Sequence, residues 1–177
     1  MSHRLIDKQV IYDGKKVRLE VHHLEHEETG KRLRREVCVH PGAVVVLPFL
    51  PDGRILLIRN RRYVIGQTLV ELPAGTMERN EDPINCAGRE LQEETGFVAG
   101  RLKPIGNFFT SPGILTEHMF AYAAYDLTRG KVDLQEDEEI ELVRATWDEA
   151  IDMVRHAQIK DGKTIATLLM YEKFHGR

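Results

Sequence analysis

Glu90, Glu93 and Glu94 stand three and four residues apart, so on a helix their carboxylates share one face. Like charges placed this way repel by about a few tenths of a kcal/mol per pair when exposed. Where water is scarce the penalty grows. Three more acids, Glu78, Glu81 and Asp82, precede them within the stretch "GTMERNEDPINCAGRELQEETGF", Gly75 to Phe97. A solvated helix face is the ordinary fate of such a run. Glycine at both ends, Gly75 and Gly96, frames this one as a cradle, since glycine permits a sharp turn and close backbone approach. Arg89 reaches Glu93 at i+4, yet one guanidinium is not expected to serve three carboxylates. A hard divalent cation, Mg2+ or Mn2+, takes oxygen ligands and suits the cluster.

The elements that must position these residues are legible around them. Asp82 followed by Pro83 makes an N-cap and a first helical residue, and Gly96 makes the stop, so the acids lie on a helix between them. Upstream, "VRLEVHHLE" alternates with Val17, Leu19 and Val21 inward, and "KRLRREVCVH" follows a turn, so residues 10–40 read as strands. "GAVVVLPFL", "PDG" and "RILLIRNRRY" read as an apolar central strand, a tight turn and a second strand, forming a hairpin. Downstream, "HMFAYAAYDL" and "IELVRATW" read as strands. Thr146 and Glu149 form a capping box that opens a second helix, and "KTIATLLMYEKF" reads as a last amphipathic helix. Strands wrapped around one central helix, with helices at the end, predict a mixed α/β or α+β sandwich.

The chain of 177 residues, 42% hydrophobic, is long enough for one globular domain with a small extension. Its net charge of -3 argues against a general nucleic-acid or membrane-surface binder, which would show a basic face. No apolar run approaches the roughly 20 residues of a membrane span. Cys38 and Cys86 lack metal-ligand spacing, and "MSHRLIDKQV" has no apolar leader core, so the expected setting is reducing and cytoplasmic. Cys86 reads as a small packing residue, Trp147 and Phe174 as packing residues at helix ends, and His22, His23 and His26 as solvent-exposed.

Gly75, five residues, Glu81, seven residues, Arg89-Glu90-Leu91, one residue, Glu93-Glu94, one residue and Gly96-Phe97 resemble the complete Nudix box. Pro112, sixteen residues after Gly96 in "TSPGILTE", together with "RREVCVHPGAVVVLPF", "IRNRRYVIGQTLVELPAG" and "EDEEIEL", resembles the ADP-ribose pyrophosphatase group of that family. The resemblance covers about residues 34–145. It implies the Nudix fold, an α/β/α sandwich with a mixed sheet, over residues 41–177, preceded at 1–40 by antiparallel strands that serve dimerisation. It implies hydrolysis of ADP-ribose, or a related nucleoside diphosphate sugar, to AMP and ribose 5-phosphate, in a homodimer dependent on Mg2+ or Mn2+. GDP-mannose hydrolysis, nucleoside triphosphate sanitation and a non-catalytic nucleotide sensor stand as alternatives.

Carried onto this chain, the resemblance makes Glu90, Glu94 and the carbonyl of Ala74 metal ligands. Glu93 becomes a further ligand or an orienting partner of Arg89. In "EDEEI" it makes Glu136 the general base and Glu138 an additional metal ligand. Arg62 would meet substrate phosphates or ribose, Thr76, Ser111 and Glu117 would line the pocket, and Arg35 and Glu36 would touch substrate from the early strands. The group's usual adenine-stacking aromatic is replaced by Lys15 and Lys16, with Tyr12 as a substitute.

Overall fold

The computed structural model describes residues 3–14, 17–131 and 139–176. Glu136 and Glu138, like Lys15 and Lys16, lie outside the described residues. The chain divides into two compact units, residues 1–42 with 109–118, and residues 43–108 with 119–177.

The first unit is an antiparallel sheet of β1 (His3–Asp13), β2 (Arg18–His26) and β3 (Arg32–Val39), in that order. The strands begin at His3, earlier than the expected start near residue 10. In β2 the alternation holds at Val21, which is buried, but the adjoining Glu20 is buried too. His22 is half-buried and lies 2.8 Å from Glu20, so it is not the exposed histidine the pattern suggested. Every residue of β1 is exposed, Leu5, Ile6, Val10, Ile11 and Tyr12 among them.

In the second unit, β4 (Ala43–Pro48) pairs parallel with β9 (His118–Arg129) and antiparallel with β7 (Ala74–Thr76). With β8 (Phe97–Phe109) these strands form a mixed sheet of order β7-β4-β9-β8. A second, three-stranded sheet has the order β10-β5-β6, from β5 (Ile55–Arg62), β6 (Gln67–Glu71) and β10 (Ile140–Ala145). The expected hairpin of "GAVVVLPFL" and "RILLIRNRRY" is therefore corrected. The tight turn is present, with Leu50 N–H donating to Arg54 O and a lone bridge between Phe49 and Ile55. Beyond it the strands part, because both edges of β4 are taken by β7 and β9.

Successive residues of β4 point to opposite faces. Val44 and Val46 share a core with Cys86, Ala87 and Leu91 of α1 (Pro83–Thr95). Val45 and Leu47 share another with Ala150 of α2 (Trp147–Arg155) and with Leu168 and Tyr171 of α3 (Gly162–Tyr171). This is the expected α/β/α sandwich. A strand covered on both faces must be apolar at every position, as "AVVVL" is. Burying each Val or Leu contributes roughly 1.5–3 kcal/mol.

The helix ends follow the sequence. Asp82 accepts from Ile84 N–H, and Gly96 closes α1 in the left-handed conformation at φ 71°. Thr146 and Glu149 make the reciprocal capping box of α2. Trp147 packs as expected, at 5.4 Å from Tyr171, whereas Phe174, in the last turn, is exposed over 78% of its surface and packs into no core.

Candidate active site

The strand β6 ends at Glu71, and the run Glu71-Leu72-Pro73-Ala74-Gly75 carries the chain to β7 opposite α1. Each link of that run is fastened. Val46 N–H donates to Pro73 O at 2.8 Å, and Ala74 N–H donates to Glu94 Oε2 at 2.9 Å. Gly75 lies against Glu90 so closely that a Cβ there would fall 1.9 Å from the carboxyl carbon. Glu90 and Glu94 are only 4% and 3% exposed. These are not the carboxylates of a solvated helix face.

Arg89 organises the rest. Its Nε and Nη2 each donate to Glu81 at 2.9 Å, and Nη1 donates to Glu90 at 2.7 Å and Glu93 at 3.1 Å. Nη2 also reaches the carbonyl of Thr76 at 3.4 Å. One guanidinium thus serves Glu90, Glu93 and, in place of Glu94, Glu81, which returns from the loop before the helix and takes the fork edge-on. Those hydrogen bonds hold the Glu81 carboxyl down to about 2 and push the Arg89 guanidinium above its ordinary range. Glu81 also accepts from Glu78 N–H, tightening the loop. Burial pushes the Cys86 thiol up, so it stays protonated and inert as a nucleophile.

Arg62 forms a bidentate pair with Glu71, Nε to Oε1 at 2.8 Å and Nη2 to Oε2 at 2.6 Å. Glu71 is fully buried and also accepts from Lys163 Nζ. Sequence reasoning missed Glu71, Asp161, Lys163 and Thr164. Glu71 was visible as the first letter of "ELPAG", but nothing local ties it to residues 92 positions later.

The second unit therefore brings together Ala74, Thr76, Glu90, Glu93 and Glu94, with Arg62 feeling the charge of Glu94 as well as of Glu71. Arg35, Glu36, Ser111 and Glu117 belong to the first unit. There Arg35 and Glu36 are consecutive on β3 and face opposite ways. Arg34 lies 3.5 Å from Glu36, and the Arg35 guanidinium donates to Arg34 O. The Ser111 carbonyl accepts from Ile114 and Leu115 N–H in a turn. Glu117 accepts from Thr110 Oγ1 at 2.6 Å and faces His40 at 3.6 Å.

Two buried carboxylates one helical turn apart fit a hard divalent cation by donor chemistry, and a glycine where any Cβ would strike Glu90 keeps that carboxylate in place. Among the described residues no three His, Cys, Asp or Glu side chains form a metal-ligating group, so further ligands would come from backbone, water, substrate or the acidic segment around residue 136.

Known proteins resemble this chain over most of its length. The model of the NUDIX domain matches residues 39–168. An ADP-ribose pyrophosphatase of Bacillus subtilis (strain 168) is 37% identical over 93% of this chain and 89% of its own. A methanol dehydrogenase activator of Bacillus methanolicus is 35% identical over 92% and 88%. A GDP-mannose pyrophosphatase of Yersinia enterocolitica is 40% identical over 76% and 74%. A solved structure described as an ADP compounds hydrolase superposes with a TM-score of 0.86 over 98% of this chain and 94% of that one, at 21% identity, which establishes the same fold. With its carboxylate helix, its sandwich and matches spanning most of its length, the chain belongs to the NUDIX family and is a homologue of its nucleoside diphosphate sugar pyrophosphatases.

Proposed function

We propose that this chain hydrolyses the pyrophosphate bond of ADP-ribose, or of a closely related nucleoside diphosphate sugar, to give AMP and ribose 5-phosphate from ADP-ribose. The observation that carries this reading is the pair of buried carboxylates, Glu90 and Glu94, seated on Gly75 and Ala74. The relative in Bacillus subtilis named for ADP-ribose supports the choice of substrate.

Glu90, Glu94, the Ala74 carbonyl and Glu138 would hold Mg2+, with Mn2+ as a substitute. When bound, the cation supplies the positive charge that an acidic notch needs in order to accept a doubly anionic pyrophosphate, and it offsets charge developing on phosphorus oxygens. The chain's own residues do the remainder. Glu93, tied to Arg89, orients the helix face. Glu136 takes the proton of the attacking water as general base. Arg62 binds a substrate phosphate or ribose, Thr76, Ser111 and Glu117 line the pocket, and Arg35 and Glu36 contact substrate from the N-terminal strands. The enzyme works in the cytoplasm as a homodimer joined through residues 1–40, with residues 41–177 as the hydrolase domain.

GDP-mannose is the second reading, favoured by the Yersinia relative. Purified protein with Mg2+ is offered ADP-ribose, GDP-mannose, other nucleoside diphosphate sugars and dGTP, and phosphate is measured after adding a phosphomonoesterase. ADP-ribose is expected to give the highest kcat/KM, chelation to abolish turnover, and Glu94→Gln to lower kcat by about 10²–10³-fold. Cleavage of dGTP but of no diphosphate sugar would sink the reading.

A further inference from the structure

The best-buried acid near the notch is not on the helix. Glu71 has no exposed side-chain surface, Lys163 retains 13%, Asp161 15% and Arg62 39%. These four form one network. Arg62 clasps both oxygens of Glu71, and Lys163 Nζ shares Glu71 Oε2 with it while donating to Asp161 Oδ1 at 2.8 Å. Asp161 is the N-cap of α3, its Oδ2 accepting from Thr164 N–H and Oγ1. Thr164 Oγ1 in turn accepts from Leu72 N–H at 2.8 Å. The first turn of α3 therefore holds the two residues that lead into Pro73, Ala74 and Gly75.

Two features give the network a direction. Its open end is Arg62, whose Nε and Nη2 are spent on Glu71 while Nη1 makes no hydrogen bond among the described residues. A planar fork fixed along one edge presents the other to an anion with little loss of rotamer entropy. The charges also balance, Arg62 and Lys163 against Glu71 and Asp161. Without Lys163 the group would carry a net negative charge within electrostatic reach of Glu94, and an anionic ligand would be repelled.

We propose that Lys163 is a positioning residue for binding of the substrate's pyrophosphate. By sharing Glu71 it keeps Arg62 clamped along one edge and electrically available along the other. This rests on the pyrophosphatase reading and gives that site a component from α3, far away in sequence.

The test compares wild type, Lys163→Met, Lys163→Arg, Arg62→Ala and the double variant Lys163→Met/Arg62→Ala, with Mg2+ and whichever diphosphate sugar the wild type cleaves. Lys163→Met is expected to raise KM about tenfold with kcat within about twofold, and Lys163→Arg to recover most of the loss. The double variant should bind no worse than Arg62→Ala alone, because the two residues act through one phosphate contact. Thermal midpoints are recorded alongside. A lowered midpoint with unchanged KM, or additive losses in the double variant, overturns the proposal. Lys163→Gln, which keeps a hydrogen-bond donor without the charge, replaces Lys163→Met if the latter does not fold. If the wild type cleaves no diphosphate sugar, the functional reading fails by itself. Affinity for inorganic pyrophosphate then decides, a loss of about tenfold in Lys163→Met upholding the role and an equal affinity overturning it.

Discussion

Gly75 shows how much one missing side chain can matter. A Cβ at this position would occupy the space of the Glu90 carboxyl group, 1.9 Å from its carbon. Neither partner can yield cheaply, since Glu90 is buried and Gly75 pairs with Val44 in the sheet. Gly75→Ala should therefore displace Glu90 and cut kcat by about a hundredfold, the order expected of a misplacement near 1 Å. Steady-state assays beside a circular dichroism spectrum separate this from unfolding, and an active Gly75→Ala protein would show that Glu90 need not sit there. Glu81 makes a different prediction. Its pKa is lowered from 4.5 to about 2, chiefly by hydrogen bonds from Arg89. A depressed carboxylate stabilises the fold fully above its unfolded pKa and loses that contribution as pH falls through the folded one. Glu81→Gln should then lower the thermal midpoint at pH 6 and flatten its acid dependence between pH 4.5 and about 2. Parallel curves for the two proteins would refute the coupling. Glu90, Glu93 and Glu94 were readable as one face because helical spacing is a local rule. The burial of Glu90 and Glu94 was not, since it comes from Gly75 and Ala74 on strand β7.

At the scale of elements, α1 was readable because its signals are neighbours in sequence: Asp82 and Pro83 start it and Gly96 ends it. Gly96 sits at φ 71°, where a Cβ is strained, so Gly96→Ala should cost roughly 1 kcal/mol or more in denaturant unfolding. An unchanged midpoint would mean that the helix end can relax. The strand β8 escaped notice because Gly100, Pro104 and Gly106 interrupt any alternation, and edge position is what lets a strand tolerate proline. The β4–β5 pairing was misread for the opposite reason. Two apolar runs around a tight turn look like a hairpin, and only the partners on either side of β4 reveal that they part. The hold of α3 on Leu72 and Glu71 spans 92 positions and leaves no local trace.

For the whole molecule, β1 poses the plainest question. Eleven residues in succession are exposed, and Leu5, Ile6, Val10, Ile11 and Tyr12 each leave 45–61% of their surface to water. If residues 1–40 join a homodimer, Val10→Lys with Ile11→Lys should give a monomer in analytical ultracentrifugation while the wild type sediments as a dimer. A monomeric wild type would refute the dimer. The attachment of α3 to the Glu71–Gly75 run also has a consequence in time. A chain leaves the ribosome N-terminus first, and contacts between distant segments close late. The helix with its carboxylates can form once residue 96 has emerged, since its caps are local. The run that shapes the notch waits for Lys163 and Thr164, in the first turn of α3. The helix has thus emerged well before the acids have their final neighbours, and a nascent chain would carry the whole box sequence without yet carrying its packed surroundings.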